Sequence, residues 1–543
     1  MYNLDFNFWW YFAVCSVDEK LRLLSEEERL YPILGIGTVF VLVWLIILLK
    51  YIFKKCEKRN TKHGSAEWGT VKDARKAFGG NKKDNLIVYN IKNTAKTLVG
   101  YMLNGTKKVY IGIKYHCLII AKTRGGKGTG FVIPNLLYYT GSIICNDIKG
   151  ENFITTHEKR RSMGQEIYKF DPYNYIENFP SQRFNCFDYL EESDPECITL
   201  ATDLADMIGG TVPPSSDPFF SDYGKKILLI WILYICVKYE GKERSLATLR
   251  KLTTLEISLM RKIFESILEE EENHFKGKLK ENVSSVLAIM GEEGKESKLF
   301  TSVYSTADTM TKFLNDPRIC EALSESDIDV ATFKYIPSTL YIIVEANNIA
   351  VSQLLLKIIY TYCIKKTMTI KIPESMKKLG LKKLEYPVKM FMDEFAQLET
   401  FNVVKKAMSF SAGLGLMFCI IIQNISQLEE YYGAAGAKEF LSNATRIFVG
   451  AEILETAKVI SESCGKTTVQ DSSYTIKPGL IFDTKIRTYS NITRDLITPD
   501  EVLRMPTLRP ILLAGEVNPL KLYRFSHFSD EEFKGQYKNF DTH

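Results

Sequence analysis

The apolar and polar positions fall into three textures along the chain. Residues 33–53, ILGIGTVFVLVWLIILLKYIF, form an almost unbroken apolar run with one lysine near its end. At about 1.5 Å per helical residue, such a run is long enough to cross a hydrocarbon layer of roughly 30 Å. Short apolar runs of strand character recur later: YHCLIIA at 115–121, TLYIIV at 339–344, VKMFM from Val388, LMFCIII from Leu416, and the stretches 446–449 and 511–514. Strands alternating with helices imply a mainly parallel, doubly wound α/β sheet that binds ligands at its strand carboxyl ends. Between about 191 and 299 the period becomes helical, predicting an apolar helix over 219–237, an amphipathic one over 246–268, and a solvated turn or helix end at Glu269–Glu272. The mixed strands before residue 114 read as an edge of the main sheet.

The ends of the apolar run give it a direction. Lys50, Lys54, Lys55, Lys58, Arg59 and Lys62 follow it, whereas Glu26, Glu27 and Glu28 precede it. The positive-inside rule therefore places the bulk of the chain in the cytoplasm. Residues 6–17, FNFWWYFAVCSV, are short for a span, rich in interfacial aromatics, and lack the basic start of a cleaved signal. They read either as a second, short span or as a segment lying at the outer interface.

Composition narrows the picture modestly. A chain of 543 residues with 45% hydrophobic content buries more than one core. Its net charge of +5 does not demand nucleic acid. The 11 cysteines are scattered through apolar runs with no CxxC pair, so they read as small core hydrophobes, and neither a disulfide framework nor a zinc site is expected.

The chemistry concentrates in three places. Ala121-Lys122-Thr123-Arg124-Gly125-Gly126-Lys127-Gly128-Thr129 follows an apolar strand and opens a helix with Pro134 as its expected kink. In a phosphate loop, glycines let backbone N–H groups curl around the phosphates, a lysine (here Lys127) supplies a point charge, and the helix aims its positive end at the anion. Two positions depart from the usual pattern: Ala121 replaces a glycine, and Gly128 replaces the Ser or Thr that ligates Mg²⁺. Thr129 follows one residue later, about 100° further round the helix, and is the alternative hydroxyl for the metal. The VKMFM run ends in Asp393 and Glu394, suited to holding Mg²⁺ through water and to orienting or deprotonating an attacking water. The LMFCIII run ends in Gln423, placed to sense the γ-phosphate or to bind the water. The plainer readings are a ligand-free glycine turn, two solvated acids and a polar strand end. Arg124 either neutralises phosphate in cis or is solvated.

With these motifs in place, the chain resembles the type IV secretion system coupling proteins, the TraG-type ATPases of bacterial conjugation and effector secretion. The blocks that carry the resemblance are HGSAEWG at 63–69, the loop with its GKG ending, DIKGEN at 147–152, DPFF at 217–220, QNISQLEEYYG at 423–433, ETAKVISESCGKT at 455–467 and RDLITPDEVLRMP at 494–506. They stand in family order from about 31 to about 520.

The resemblance implies an N-terminal transmembrane anchor over residues 1–60 and a RecA-like P-loop ATPase domain over 61–190 and 300–525. An all-α domain over 191–299 would be inserted into it, with a C-terminal tail over 526–543. It also implies an ATPase using ATP and Mg²⁺, catalytic Lys127, Glu394 and Gln423, and a homo-hexameric ring at the bacterial inner membrane. The expected partners are type IV secretion channel components and a relaxase–DNA complex or protein effectors. Many relatives carry an arginine before the Gln423 strand, but this chain reads SFSAGLG over 409–415. Any cationic finger therefore comes from elsewhere, with Lys405, Lys406, Arg446 and Arg494 as open choices. Two rival readings stand: a membrane-tethered pump for duplex DNA, and a docking platform that binds nucleotide with little turnover.

Overall fold

The computed structural model describes residues 38–50, 64–77, 85–210, 217–292, 295–344, 349–370, 372–477, 484–515 and 517–540. The chain divides into two compact units, Met1–Ser65 with Thr468–Thr493, and Ala66–Thr467 with Arg494–His543.

Three antiparallel strands, β1 (Ile87–Val88), β2 (Thr97–Asn104) and β3 (Lys107–Ile113), form a small sheet of order β1-β3-β2. This corrects the expectation that they edge the main sheet. The main sheet begins with β4 (Cys117–Ala121), β5 (Ile143–Asn146) and β6 (Glu166–Phe170). A helical segment follows, which among the described residues also holds the two-residue strands β7 (Gly291–Glu292) and β8 (Lys295–Glu296). The sheet resumes with β9 (Ser338–Ile342), β10 (Val388–Met392), β11 (Leu416–Ile422) and β12 (Thr445–Val449). After a ribbon of β13 (Lys466–Lys477) and β14 (Thr484–Asp495), it closes with β15 (Ile511–Leu513) and β16 (Leu520–Lys521).

The order of the nine strands is β16-β15-β12-β4-β11-β10-β5-β9-β6. Pairings from β12 to β6 are parallel, and β15 and β16 join antiparallel. Because the pleat has period two, β4 sends Leu118 and Ile120 to one core and Cys117, Ile119 and Ala121 to the other. Burial on both faces explains why these strands read as continuous apolar runs. The strand that ends at Ala121, β4, lies between β12 and β11, and the Asp393 strand, β10, adjoins β11 on its far side.

Among the inserted helices, α1 (Cys197–Gly209) packs on α2 (Pro218–Lys238), an arrangement that continues the core on the Leu118 face. Asp217 caps α2 by accepting the Phe219 N–H at 3.0 Å, and Pro218 occupies the first turn, where its missing N–H costs nothing. The single helix expected over 246–268 is two, α3 (Leu246–Leu252) and α4 (Ile257–Glu269). The break is at Thr253 and Thr254, whose hydroxyls donate to the Arg250 carbonyl at 3.0 and 3.1 Å, while Thr253 also meets Thr311 at 2.9 Å. Helices continue to Ala322 before the sheet resumes.

Of the expected span over 33–53, residues 38–50 are described; they are helical, with Phe40, Leu42, Trp44 and Ile47 exposed. The rest of that run and the segment 6–17 lie outside the described residues. Among the described residues no helix is long and apolar enough to cross a membrane.

The C-terminal stretch, expected as a tail from 526, is docked. Phe525 and Phe533 are fully buried beside Ile133, Leu137 and Tyr138. Lys108 reaches Asp530 at 2.9 Å and Glu532 at 3.0 Å, and the Tyr110 hydroxyl donates to Glu532 at 2.7 Å. The two aromatic anchors outweigh the polar, mixed-charge appearance of the segment.

Candidate active site

The carboxyl ends of β4, β11 and β10 lie side by side in the sheet. After Ala121, which is fully buried, the loop turns on itself: Gly125 N–H donates to the Lys122 carbonyl at 2.8 Å. Arg124 and Gly126 have φ of 57° and 75°. Gly126 takes that conformation without strain, whereas exposed Arg124 sits in a left-handed region that side chains rarely occupy. Residues Gly128–Val132 form a π-helical turn that becomes α-helical over Ile133–Tyr138, with Pro134 in the first turn of the α-helix.

Lys127 lies between the two acids. Its Nζ is 3.1 Å from Asp393 Oδ1 and is bonded to Glu394 Oε1. Burial pulls the ammonium down, but Asp393 and Glu394 outweigh it and hold its pKa above the ordinary value. Burial also raises Asp393, against the pull of Lys127. Glu394 has a φ of 52°, a conformation held by the bond from its N–H to Asp393 Oδ1 at 2.9 Å. Gln423 donates from Nε2 to Glu394 Oε2 at 3.0 Å and approaches Thr123 Oγ1 at 3.5 Å. The expected Lys127, Asp393 and Glu394 are therefore in mutual contact, and Gln423 joins them through Glu394.

Thr129 is turned elsewhere. Its hydroxyl donates to the Gly126 carbonyl at 3.3 Å and receives Arg524 Nη1 at 3.1 Å. At Gly128, where a hydroxyl is usual, an added Cβ would meet nothing within 4 Å, so the glycine answers no local crowding.

Three further residues escaped the sequence reading. Asn146, at the end of β5, clamps the Asp393 backbone by accepting its N–H and donating to its carbonyl, both at 2.8 Å. Glu452, just past β12, accepts the Thr123 N–H at 3.0 Å. Arg524 reaches the loop from the C-terminal segment. The available signals were an amide at a strand end, an acid after FVGA, and apolar residues that continue beyond residue 520. Asp147 lies beside Asn146; burial raises its carboxyl to about 7, although it accepts the Phe153 N–H at 2.8 Å. Among the cations considered for a finger, Lys405 is 3.4 Å from Glu439 and Arg494 is 2.5 Å from Glu501, so both have local partners.

A glycine loop at a helix start, a lysine, two acids and an amide just past adjoining parallel strands have the make-up of a phosphate loop with its strand-end partners. The family model described as "Type IV secretory system Conjugative DNA transfer" matches residues 67–542, and the chain belongs to that family, the coupling proteins of type IV secretion. Protein VirD4 of Rhizobium rhizogenes is 27% identical over 91% of this chain and 69% of its own length. Conjugal transfer protein TraG of Escherichia coli is 25% identical over 88% of this chain and 77% of its own.

Among solved structures, the plasmid coupling protein TrwB in complex with the ATP analogue ADPNP superposes with a TM-score of 0.54 at 14% identity, covering 76% of this chain and 87% of that one. TrwB in complex with ADP and Mg²⁺ gives 0.52, covering 75% and 84%. The shared fold is the RecA-like P-loop arrangement of a mixed α/β sheet. As a member of the family, the chain is a conjugative DNA transfer coupling protein that links substrate to the type IV secretion system.

Proposed function

We propose that this coupling protein hydrolyses ATP with Mg²⁺ at the cleft formed by Lys127, Asp393, Glu394 and Gln423, and that turnover drives substrate into the channel. The observation that carries the reading is Lys127 held between two carboxylates while Gln423 holds the second of them. The residues suit the nucleotide and its metal: the loop offers backbone donors to phosphate, and the acids offer the oxygen ligands that Mg²⁺ prefers. The TrwB complexes with ADPNP and with ADP and Mg²⁺ support the same assignment.

In this reading Lys127 would exchange the acids for the β- and γ-phosphates, and Asp393 would be the residue that holds Mg²⁺. Mg²⁺ supplies neutralisation of phosphate charge. Glu394, freed of its cation, orients and deprotonates the attacking water, and Gln423 ties that position to the state of the γ-phosphate. The helical, apolar-surfaced 38–50 segment and the basic residues after it support a membrane anchor at the bacterial inner membrane with the ATPase in the cytoplasm. We assign the partners as channel components and a relaxase–DNA complex or protein effectors, and the working form as a homo-hexamer.

Lys127→Ala tests the site directly: titration of the purified full chain with ATP and Mg²⁺ is expected to show saturable binding in the parent and none in the variant. Equal binding by both proteins would remove the phosphate role from this loop.

A further inference from the structure

Lys127 has two carboxylate partners in the cleft, whereas Arg524, on the other side of the same loop, makes no ion pair among the described residues. Its Nη1 donates to the Gly126 carbonyl at 2.7 Å and to Thr129 Oγ1 at 3.1 Å, and its Nε is buried without a hydrogen-bond partner among the described residues. The nearby Asp530 is already committed, to Lys108 at 2.9 Å and to the Ser526 N–H at 2.8 Å.

The loop is shaped around this arginine. A Cβ on Gly126 would fall 1.9 Å from Arg524 Nη1, and one on Gly130 would fall 2.6 Å from its Cγ. Both glycines therefore leave room for a side chain that arrives from far along the sequence.

Its anchoring is equally specific. Tyr523 pairs with Tyr101 of β2 through N–H···O bonds of 2.7 and 2.9 Å, and Arg524 N–H donates to the Leu508 carbonyl at 3.0 Å. On the far side, His527 N–H meets the Thr129 carbonyl at 3.3 Å.

The bond to the Gly126 carbonyl has a directional consequence. In a trans peptide the carbonyl and the following N–H point opposite ways. Fixing the Gly126 carbonyl toward Arg524, together with the Gly130 N–H at 2.8 Å, aims the Lys127 N–H out of the helix start toward an incoming anion.

We propose that Arg524 is a positioning residue of the phosphate loop: delivered by the docked C-terminal segment, it holds the Gly126–Lys127 peptide in its anion-cradling orientation. Nucleotide affinity then depends on seating of residues 520–533. The inference rests on the ATP reading of the loop.

The test uses the full chain in detergent, titrated with N-methylanthraniloyl-ATP and Mg²⁺, and assayed for ATP turnover. Losing a hydrogen bond to a charged donor predicts that Arg524→Ala weakens analogue binding and raises KM by about tenfold or more, while kcat at saturation stays within about threefold of the parent. Arg524→Lys restores part of the loss, because an ammonium still reaches one acceptor. Gly130→Ala, which crowds Arg524 from the opposite side, reproduces the loss with the arginine intact. Unchanged affinity in a folded Arg524→Ala protein, or a lower melting midpoint with unchanged KM, overturns the inference. A parent chain that binds no analogue rejects the ATP reading itself. If Arg524→Ala does not fold, hydrogen exchange on the parent decides: nucleotide is expected to slow exchange at 520–533 together with 122–130, and unchanged exchange at 520–533 overturns the proposal.

Discussion

Glu394 shows how one residue carries the tension of the site. Its backbone occupies a left-handed conformation that costs of order 1–3 kcal/mol for such a side chain, and the neighbouring Asp393 carboxylate and Lys127 ammonium hold it there. Away from the cleft, His116 offers a pH test. It is buried, its Nδ1 accepts the Phe418 N–H at 2.9 Å, and burial lowers its pKa from 6.5 to about 4. Below 6.5 the unfolded chain binds a proton that the folded chain refuses until about 4, so stability is complete above 6.5 and is lost as pH falls through that window. The melting midpoint is expected to drop between these pH values, and to drop less in His116→Gln, whose amide oxygen can still accept the Phe418 N–H. Parallel curves for the two proteins would show that His116 contributes nothing to the slope.

At the scale of elements, strands were easier to read than their neighbours. TLYIIV, VKMFM and LMFCIII declared themselves because each is buried on both faces, and a run of that kind carries its own signal. Their order did not follow: which strand adjoins β4 depends on crossovers that leave no mark on periodicity. The break between α3 and α4 was hidden because the apolar spacing continues across it, while the side-chain bonds that end α3 involve Thr311, distant in sequence. Helix α2 was legible from end to end, from its Asp217-Pro218 start through its apolar body.

Trp231, fully buried at the centre of α2, has an indole N–H without a hydrogen-bond partner among the described residues. Trp231→Ala is therefore expected to destabilise by about 3–5 kcal/mol, and Trp231→Phe, which keeps a ring and forfeits no bond, by well under half of that. Equal losses in chemical unfolding would mean that the N–H matters and that packing does not dominate.

For the whole molecule, the grouping of Lys127, Asp393, Glu394 and Gln423 was legible because each follows a buried strand that the sequence marks, and the fold brings them into contact. Asn146, Glu452 and Arg524 were not, since each acts through a contact made only by the tertiary fold. If the working form is a ring with shared sites, a chain starting near Gly64 should remain soluble without detergent and lose turnover per chain on dilution. Constant specific activity from a species that sediments as a monomer would contradict that assembly.

The central claim, hydrolysis at this cleft, is tested most directly by steady-state ATP turnover of Glu394→Gln beside the parent, with nucleotide binding measured on the same preparations. The amide keeps the side chain's size and removes the base, so binding is expected to persist while turnover falls about a hundredfold or more. Turnover at the parental rate would contradict the account and leave Glu394 a structural partner of Lys127.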